Sequence, residues 1–261
     1  MSTAVIVSGA MRSMPNAMGS WRFAGDYYLV TDDNIYSPHS RNVVGSASTT
    51  LSNILQQSTI KFKAVYLQLD ESLRIDPKYL PLDPALPTHP VMSMAWKWRC
   101  AYNLIKQQGK VYDRILLLRP DLYAWYMQPE SAFDDFNPAP GTIHGTNGIF
   151  HDNVQDRPTM GDVFLLFNMQ VFEILAGFFD YFLENYGLVL HQRYDLHTLL
   201  AKYVIENNLT ADNTLLQYCL FTILRDNSDH MFENSRLKPQ HSFVELQEKQ
   251  NQWWNERYKV D

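Results

Sequence analysis

Arg119, Pro120 and Asp121 follow directly on the apolar residues Ile115-Leu116-Leu117-Leu118. An unbroken run of this kind suits a strand buried on both faces. Proline removes a ladder donor and stops pairing, so the polar residues around it stand at the strand's carboxyl rim. A carboxylate there, Asp121, can coordinate a divalent cation such as Mg2+ or Mn2+ that neutralises a diphosphate, or it can hold ribose or sugar hydroxyls. Arg119, two residues earlier, projects to the same side if the strand geometry persists, and either meets phosphate or pairs with Asp121. The structural alternative is an Arg-Asp ion pair that ties off the strand.

A second group lies in the first loop, Ser8-Gly9-Ala10-Met11-Arg12-Ser13. Gly9 allows close backbone approach, while Ser8, Arg12 and Ser13 supply polar groups suited to a nucleotide's base, ribose or phosphates. A tight turn with a surface arginine is the plain alternative. The chain has no Walker A lysine loop and no G-x-G-x-x-G, which weakens P-loop and dinucleotide readings. Asp162, before Val163–Phe167, is a candidate general base or a solvated residue at a strand start. Lys97 and Arg99, on a helical pattern, either reach phosphate or lie on a solvated face.

The cluster His191, Arg193, Asp195 and His197 opens a helix. Asp195 there is an N-cap, or Asp195 and His197 contact a sugar or diphosphate. His144, His151 and Asp152 lack regular metal-ligand spacing and fall in a Gly/Asn-containing stretch read as loop. Trp253 and Trp254 either stack on a sugar or base or pack on the domain, within a tail, 243–258, expected to dock as a helix.

These residues need elements to place them. Ala4–Val7, Tyr27–Thr31, Ala64–Leu69, Ile115–Leu118, Thr142–His144 and Val163–Phe167 read as strands, with Asp32 closing the second. Helical spacing appears at Thr49–Gln57, Val91–Gln108, Val171–Tyr186, Tyr194–Asn207 and Asn213–Leu224. The proline-rich segment 70–90 reads as an irregular connection. Alternation of strands and helices predicts an α/β fold, whose ligands bind outside the carboxyl ends of the strands. That rule gathers Gly9 to Ser13, Asp32 and Arg119 to Asp121 at one rim.

The 261 residues suffice for one domain, and 46% hydrophobic with 19% charged residues excludes a disordered chain. A net charge of -6 removes the simplest argument for a nucleic-acid partner, though not for a local basic groove. With only Cys100 and Cys219, a disulfide framework is not expected and a reducing cytoplasm fits best. The start carries no basic, apolar leader, and no run approaches the ~20 apolar residues that span a bilayer.

The order "V-S-G-x-x-R-S" at 7–13, "V-T-D" at 30–32, a helix with Trp96, Lys97 and Ala101, then "Y-D-R-I-L-L-L-R-P-D-L" at 112–122, resembles nucleotide-sugar-dependent glycosyltransferases of the GT-A type. The resemblance runs over roughly residues 3 to 208. It implies a Rossmann-like GT-A fold with a mostly parallel central sheet, helices on both faces and a mainly helical C-terminal part. Residues 1–168 would form the nucleotide-sugar-binding core and 169–261 that helical part of a single domain. It also implies a nucleoside diphosphate sugar as donor and a hydroxyl on a surface polysaccharide or lipopolysaccharide precursor as acceptor. A hydroxymethylated base in DNA, in the host cytoplasm for a viral enzyme, and a non-catalytic nucleotide- or glycan-binding module are the alternatives. In that class a D-x-D motif holds the metal and the diphosphate. Here Arg119 replaces its first aspartate, and a cation already in place there makes a metal optional.

Overall fold

The computed structural model describes residues 1–9, 11, 14–32, 51–58, 60–68, 90–126, 128, 130–145, 148–152, 157–186, 188, 196–225 and 229–231. In chain order the strands are β1 (Thr3–Ser8), β2 (Asp26–Asp32), β3 (Phe62–Gln68), β4 (Arg114–Leu118), β5 (Leu122–Tyr126), β6 (Thr142–Gly145), β7 (Phe150–Asp152), β8 (Arg157–Thr159), β9 (Phe164–Phe167), β10 (Thr210–Asp212), β11 (Cys219–Arg225) and β12 (Asp229–Met231). Between them run α1 (Met14–Ala17), α2 (Leu51–Gln57), α3 (Pro90–Gln107), α4 (Glu130–Asp134), α5 (Met169–Ala176), α6 (Phe178–Glu184) and α7 (Leu196–Glu206).

Seven strands form one sheet in the order β10-β6-β9-β4-β1-β2-β3. Neighbours are parallel except β9, which is antiparallel to both β4 and β6. The expected mostly parallel α/β sheet is therefore present. Strand alternation splits the core in two. Ala4, Ile6, Tyr28, Val30, Ile115 and Leu117 face residues of α3, α5, α6 and α7. Val5, Val7, Leu29, Leu116 and Leu118 face Met14, Trp21, Phe23 and Phe133, with Leu51 and Leu55 of α2 packed alongside. Helices thus cover both faces.

The carboxyl ends of β1, β2, β3, β4, β6 and β10 share one rim, to which β9 contributes its start. The chain leaves β3 at that rim and must enter β4 at the other, so α3 runs back along the sheet. Its first turns overhang the rim. The hydrogen bond from Tyr66 to the Cys100 thiol fixes the placement, because Tyr66 pairs with Val30 and Val30 with Ser8.

Two sequence expectations need correction. The helix read over Val171–Tyr186 is two, α5 and α6, joined at Gly177, where a Cβ would stand 2.6 Å from the Tyr203 hydroxyl. The helix read over Asn213–Leu224 is a 3-10 turn, Thr214–Gln217, followed by β11. Cys219 and Phe221 are buried there and pair with Tyr126 and Ala124 of β5, so tertiary pairing decides the conformation. The residues after Asp121 form a further strand, β5, in a separate antiparallel sheet ordered β12-β11-β5. The C-terminal portion holds α5, α6 and α7 together with β10, β11 and β12. The docked tail expected at 243–258 lies outside the described residues.

β4 is anchored at its start by Arg114, 1% exposed. Its Nε donates to Thr3 Oγ1 at 2.7 Å, and its Nη1 donates to the carbonyls of Phe133 and Phe136 at 2.7 and 2.9 Å. Nη2 lies 3.5 Å from the Asp134 carboxylate, which partly offsets the burial that pulls the guanidinium pKa down. Arg114→Met strands two carbonyls and a carboxylate together, and should cost about 3 kcal/mol of unfolding free energy. Urea denaturation followed by circular dichroism measures it; an unchanged midpoint removes this anchor from the account.

Candidate functional site

Arg119 and Asp121 form a fork-to-fork ion pair. Nε donates to Oδ1 at 2.9 Å and Nη2 to Oδ2 at 2.8 Å. The Asp121 side chain is 2% exposed and that of Arg119 26%. The two parallel charge-assisted bonds fix the guanidinium plane as well as its position. The main chain folds back beneath the pair, with Leu122 N donating to the Arg119 carbonyl at 3.2 Å. The ion pair named as the structural alternative is present.

Gly9 meets this motif from β1. Its N–H donates to the Val30 carbonyl at 3.0 Å, its φ is +141°, and a Cβ would lie 3.0 Å from Pro120 Cδ. Glycine is required by both the left-handed backbone and the contact. Ser8 and Thr31, also at the rim, are buried, and their hydroxyl oxygens have no hydrogen-bond partner among the described residues. Strand parity places Ser8 on the α3 face with Ile6 and Val30, and Thr31 on the opposite face with Leu29. Arg119 follows Ile115 and Leu117 in parity, hence the α3 face with Ser8. Asp32 ends β2 at the same rim; its side chain, like all of Arg12, Ser13 and Asp195, lies outside the described residues.

Lys97 is 3% exposed and its Nζ donates to Ser93 Oγ at 2.6 Å, one turn earlier on α3. The solvated-face reading is thereby overturned for this residue. Burial pushes the Cys100 thiol pKa up, opposed by the Tyr66 hydrogen bond and by the Lys97 charge. Arg99 belongs elsewhere, with its guanidinium on Asp180 and over the Phe179 ring. Cys100 and Cys219 are free and buried, consistent with the expected absence of a disulfide framework.

One strand over, Asp162 precedes β9, whose Phe164 pairs with Leu118. Its side chain is 9% exposed, so it is not a solvated strand-start residue. His197, on the first turn of α7, donates Nδ1–H to the Met160 carbonyl at 3.0 Å and sets that nitrogen 3.9 Å from Asp162 Oδ1. The two residues proposed separately from sequence are neighbours in the fold.

His144 and Asp212 form a dyad that sequence reading missed. His144, in β6 where a strand was read over Thr142–His144, accepts from Ala139 N–H at Nε2, so its proton resides on Nδ1, 3.0 Å from each oxygen of Asp212. Asp212 Oδ1 also accepts from Thr214 N–H. The carboxylate borders a cleft of about 360 Å³ lined by Gly148, Ile149, Phe150, Ala211, Asp212 and Asn213, at the carboxyl end of β10. Phe150 is 51% exposed there. A Cβ on Gly148 would come within 3.0 Å of the Ala211 carbonyl, so glycine lets this segment lie on β10.

No family model matches the chain, and no curated protein matches it. Among solved structures it is similar to the apo form of mouse xyloside xylosyltransferase 1, with 14% identity and a TM-score of 0.38 over 76% of this chain and 80% of that one. It is also similar to the glycosyltransferase GlyE of Streptococcus pneumoniae TIGR4, with 13% identity and a TM-score of 0.41. There it covers 77% of this chain but 43% of the other, and so spans less than half of that protein. A third is core-mannan synthase A of Aspergillus fumigatus in its Mn/GDP form, with 10% identity and a TM-score of 0.43 over 98% and 85% of the two chains. Likeness at this level leaves function to be argued from the chain's own residues.

A divalent cation fits the described residues poorly. Such an ion takes several oxygen ligands, whereas both Asp121 oxygens already accept from Arg119. No group of three or more His, Cys, Asp or Glu side chains stands together among the described residues; the side chains of His151 and Asp152, named with His144 above, lie outside them. Nor is any helix among them long and apolar enough to cross a membrane.

The two rim residues of β1 should respond oppositely to substitution. Gly9→Ala places a side chain in the left-handed region and against Pro120, and should lower unfolding free energy by about 1–3 kcal/mol. Ser8→Ala removes a buried hydroxyl with no partner and should leave thermal stability unchanged or raised. A Gly9→Ala protein as stable as the parent, measured by thermal unfolding, contradicts this account of the rim.

Proposed function

We propose that the chain is a glycosyltransferase that binds a nucleoside diphosphate sugar at the carboxyl rim and transfers the sugar to a hydroxyl of a carbohydrate acceptor. The observation that carries this reading is the Arg119–Asp121 fork beside a buried, unpartnered Ser8 hydroxyl, with Gly9 letting the main chain approach closely. A polar atom kept dry without a partner is costly, and a donor phosphate or ribose oxygen supplies one. The rim is also where open α/β sheets bind ligands.

In the reaction the acceptor oxygen bonds to the anomeric carbon while the carbon–oxygen bond to the diphosphate breaks. The diphosphate leaves with the bonding electron pair, and the acceptor proton passes to a base. Asp162 is the first choice for that base, with the imidazole of His197 beside it. The cleft at Phe150, Asp212 and Asn213 supports a sugar acceptor, since an aromatic face covers pyranose C–H groups while carboxylate and amide bind hydroxyls. The net charge of -6 speaks against a DNA acceptor.

A panel of nucleotide sugars incubated with the protein tests the reading through release of nucleoside diphosphate. Turnover of at least one donor is expected, whereas a pure binding module releases none. A charge-assisted hydrogen bond is worth about 1.5–3 kcal/mol, so Ser8→Ala should weaken donor affinity by about tenfold or more in calorimetric titration. Unchanged donor affinity takes Ser8 out of the site, and a panel with no binder defeats the proposal.

A further inference from the structure

A departing diphosphate needs positive charge close to its oxygens, and a metal ion is one source among several. Asp121 is badly placed to recruit that ion. Each of its oxygens takes an N–H from Arg119, and its side chain is 2% exposed, so a cation would first have to strip the guanidinium from a covered carboxylate. The described residues also bring no second and third acidic or imidazole group alongside. The chain carries cations of its own toward this rim. Arg119 stands on the α3 face of the rim with a quarter of its side chain exposed, and Lys97 is buried in the part of α3 that overhangs this rim.

We infer that the donor diphosphate is gripped by the Arg119 guanidinium and the Lys97 ammonium in place of a divalent metal ion. The inference rests on the nucleotide-sugar reading above. Asp121 is then a positioning residue. It holds the guanidinium flat and aimed, so that planar recognition of phosphate costs little further ordering. Ser93 does the same for Lys97, whose Nζ it meets at 2.6 Å. Ser8 lies on the same face and offers its unpartnered hydroxyl to the oxygens between the two cations. When the glycosidic carbon–oxygen bond breaks, the electron pair moves onto the diphosphate, and both cations stabilise it without any change in metal coordination.

The test is calorimetric titration of the full chain with UDP and with GDP, once in excess EDTA and once with added MnCl2. The expected result is a nucleotide that binds with the same Kd, within about twofold, in both conditions. Binding that appears only with Mn2+, or tightens about tenfold or more with it, overturns the inference while leaving the nucleotide-sugar reading intact. Binding of neither nucleotide in either condition overturns both.

Variants separate the roles. Arg119→Gln, at a partly exposed position, should weaken nucleotide binding about tenfold or more in EDTA, with no recovery on adding Mn2+. Lys97→Gln should do likewise, and where its fold fails the Arg119 variant decides alone. Asp121→Asn keeps the oxygen that orients Arg119 but no carboxylate, and should retain binding in EDTA within about tenfold. Electron paramagnetic resonance of Mn2+ gives an independent reading. A free-ion signal no lower with protein and nucleotide than with nucleotide alone is expected, and a further loss on adding wild type overturns the inference, through Asp121 where Asp121→Asn abolishes that loss.

Discussion

β4 is squeezed between β1 on one side and β9 on the other, with each residue from Arg114 to Leu118 buried. Such a strand can carry no polar side chain along its length except where partners are built for it. Its chemistry is therefore displaced to the two ends. At each end a guanidinium closes the strand: Arg114 against the carbonyls of the 133–136 segment, Arg119 against Asp121. The first is sealed and structural. The second opens onto the rim, and that difference in exposure is what separates an anchor from a site.

The two cores divide the rim as well. Ser8, Arg119 and Lys97 belong to the side roofed by α3, whereas Thr31 belongs to the side lined by Trp21 and Phe23. A ligand reaching both unpartnered hydroxyls must cross the edge of the sheet between β1 and β2. An extended molecule with a polar group at each part suits that path better than a compact one.

The framework of the site was legible in the sequence because local pattern suffices for it. Apolar runs ended by Ser8-Gly9 and by Arg119-Pro120-Asp121 announce buried strands and their rim, whatever else the chain does. What escaped was set by distant pairing. His144 and Asp212 are separated by 68 residues and meet only because β10 adds to β6. β10 directly precedes a segment whose helical spacing resolves into a turn and a strand. Lys97 is read either as reaching phosphate or as lying on a solvated face, since nothing in Ser93-Met94-Ala95-Trp96-Lys97 reveals that distant packing buries it. Gly177 has a helical pattern on either side, and at this joint the Tyr203 hydroxyl packs against it and donates to the Ile174 carbonyl.

A single residue separates the end of the motif's proline from a second sheet. Asp121 is followed at once by β5, which pairs along its whole length with β11, and β11 in turn with β12. On its other flank β5 is held by Ser20, whose hydroxyl accepts from Ala124 N–H, and by Trp21, whose indole donates to the Leu122 carbonyl. The carboxylate that aims Arg119 is thus mounted on a seam, one sheet on either side. Asp121 stands one peptide unit from a strand built on β11, so residues a hundred positions downstream belong to the frame that holds the guanidinium at the rim.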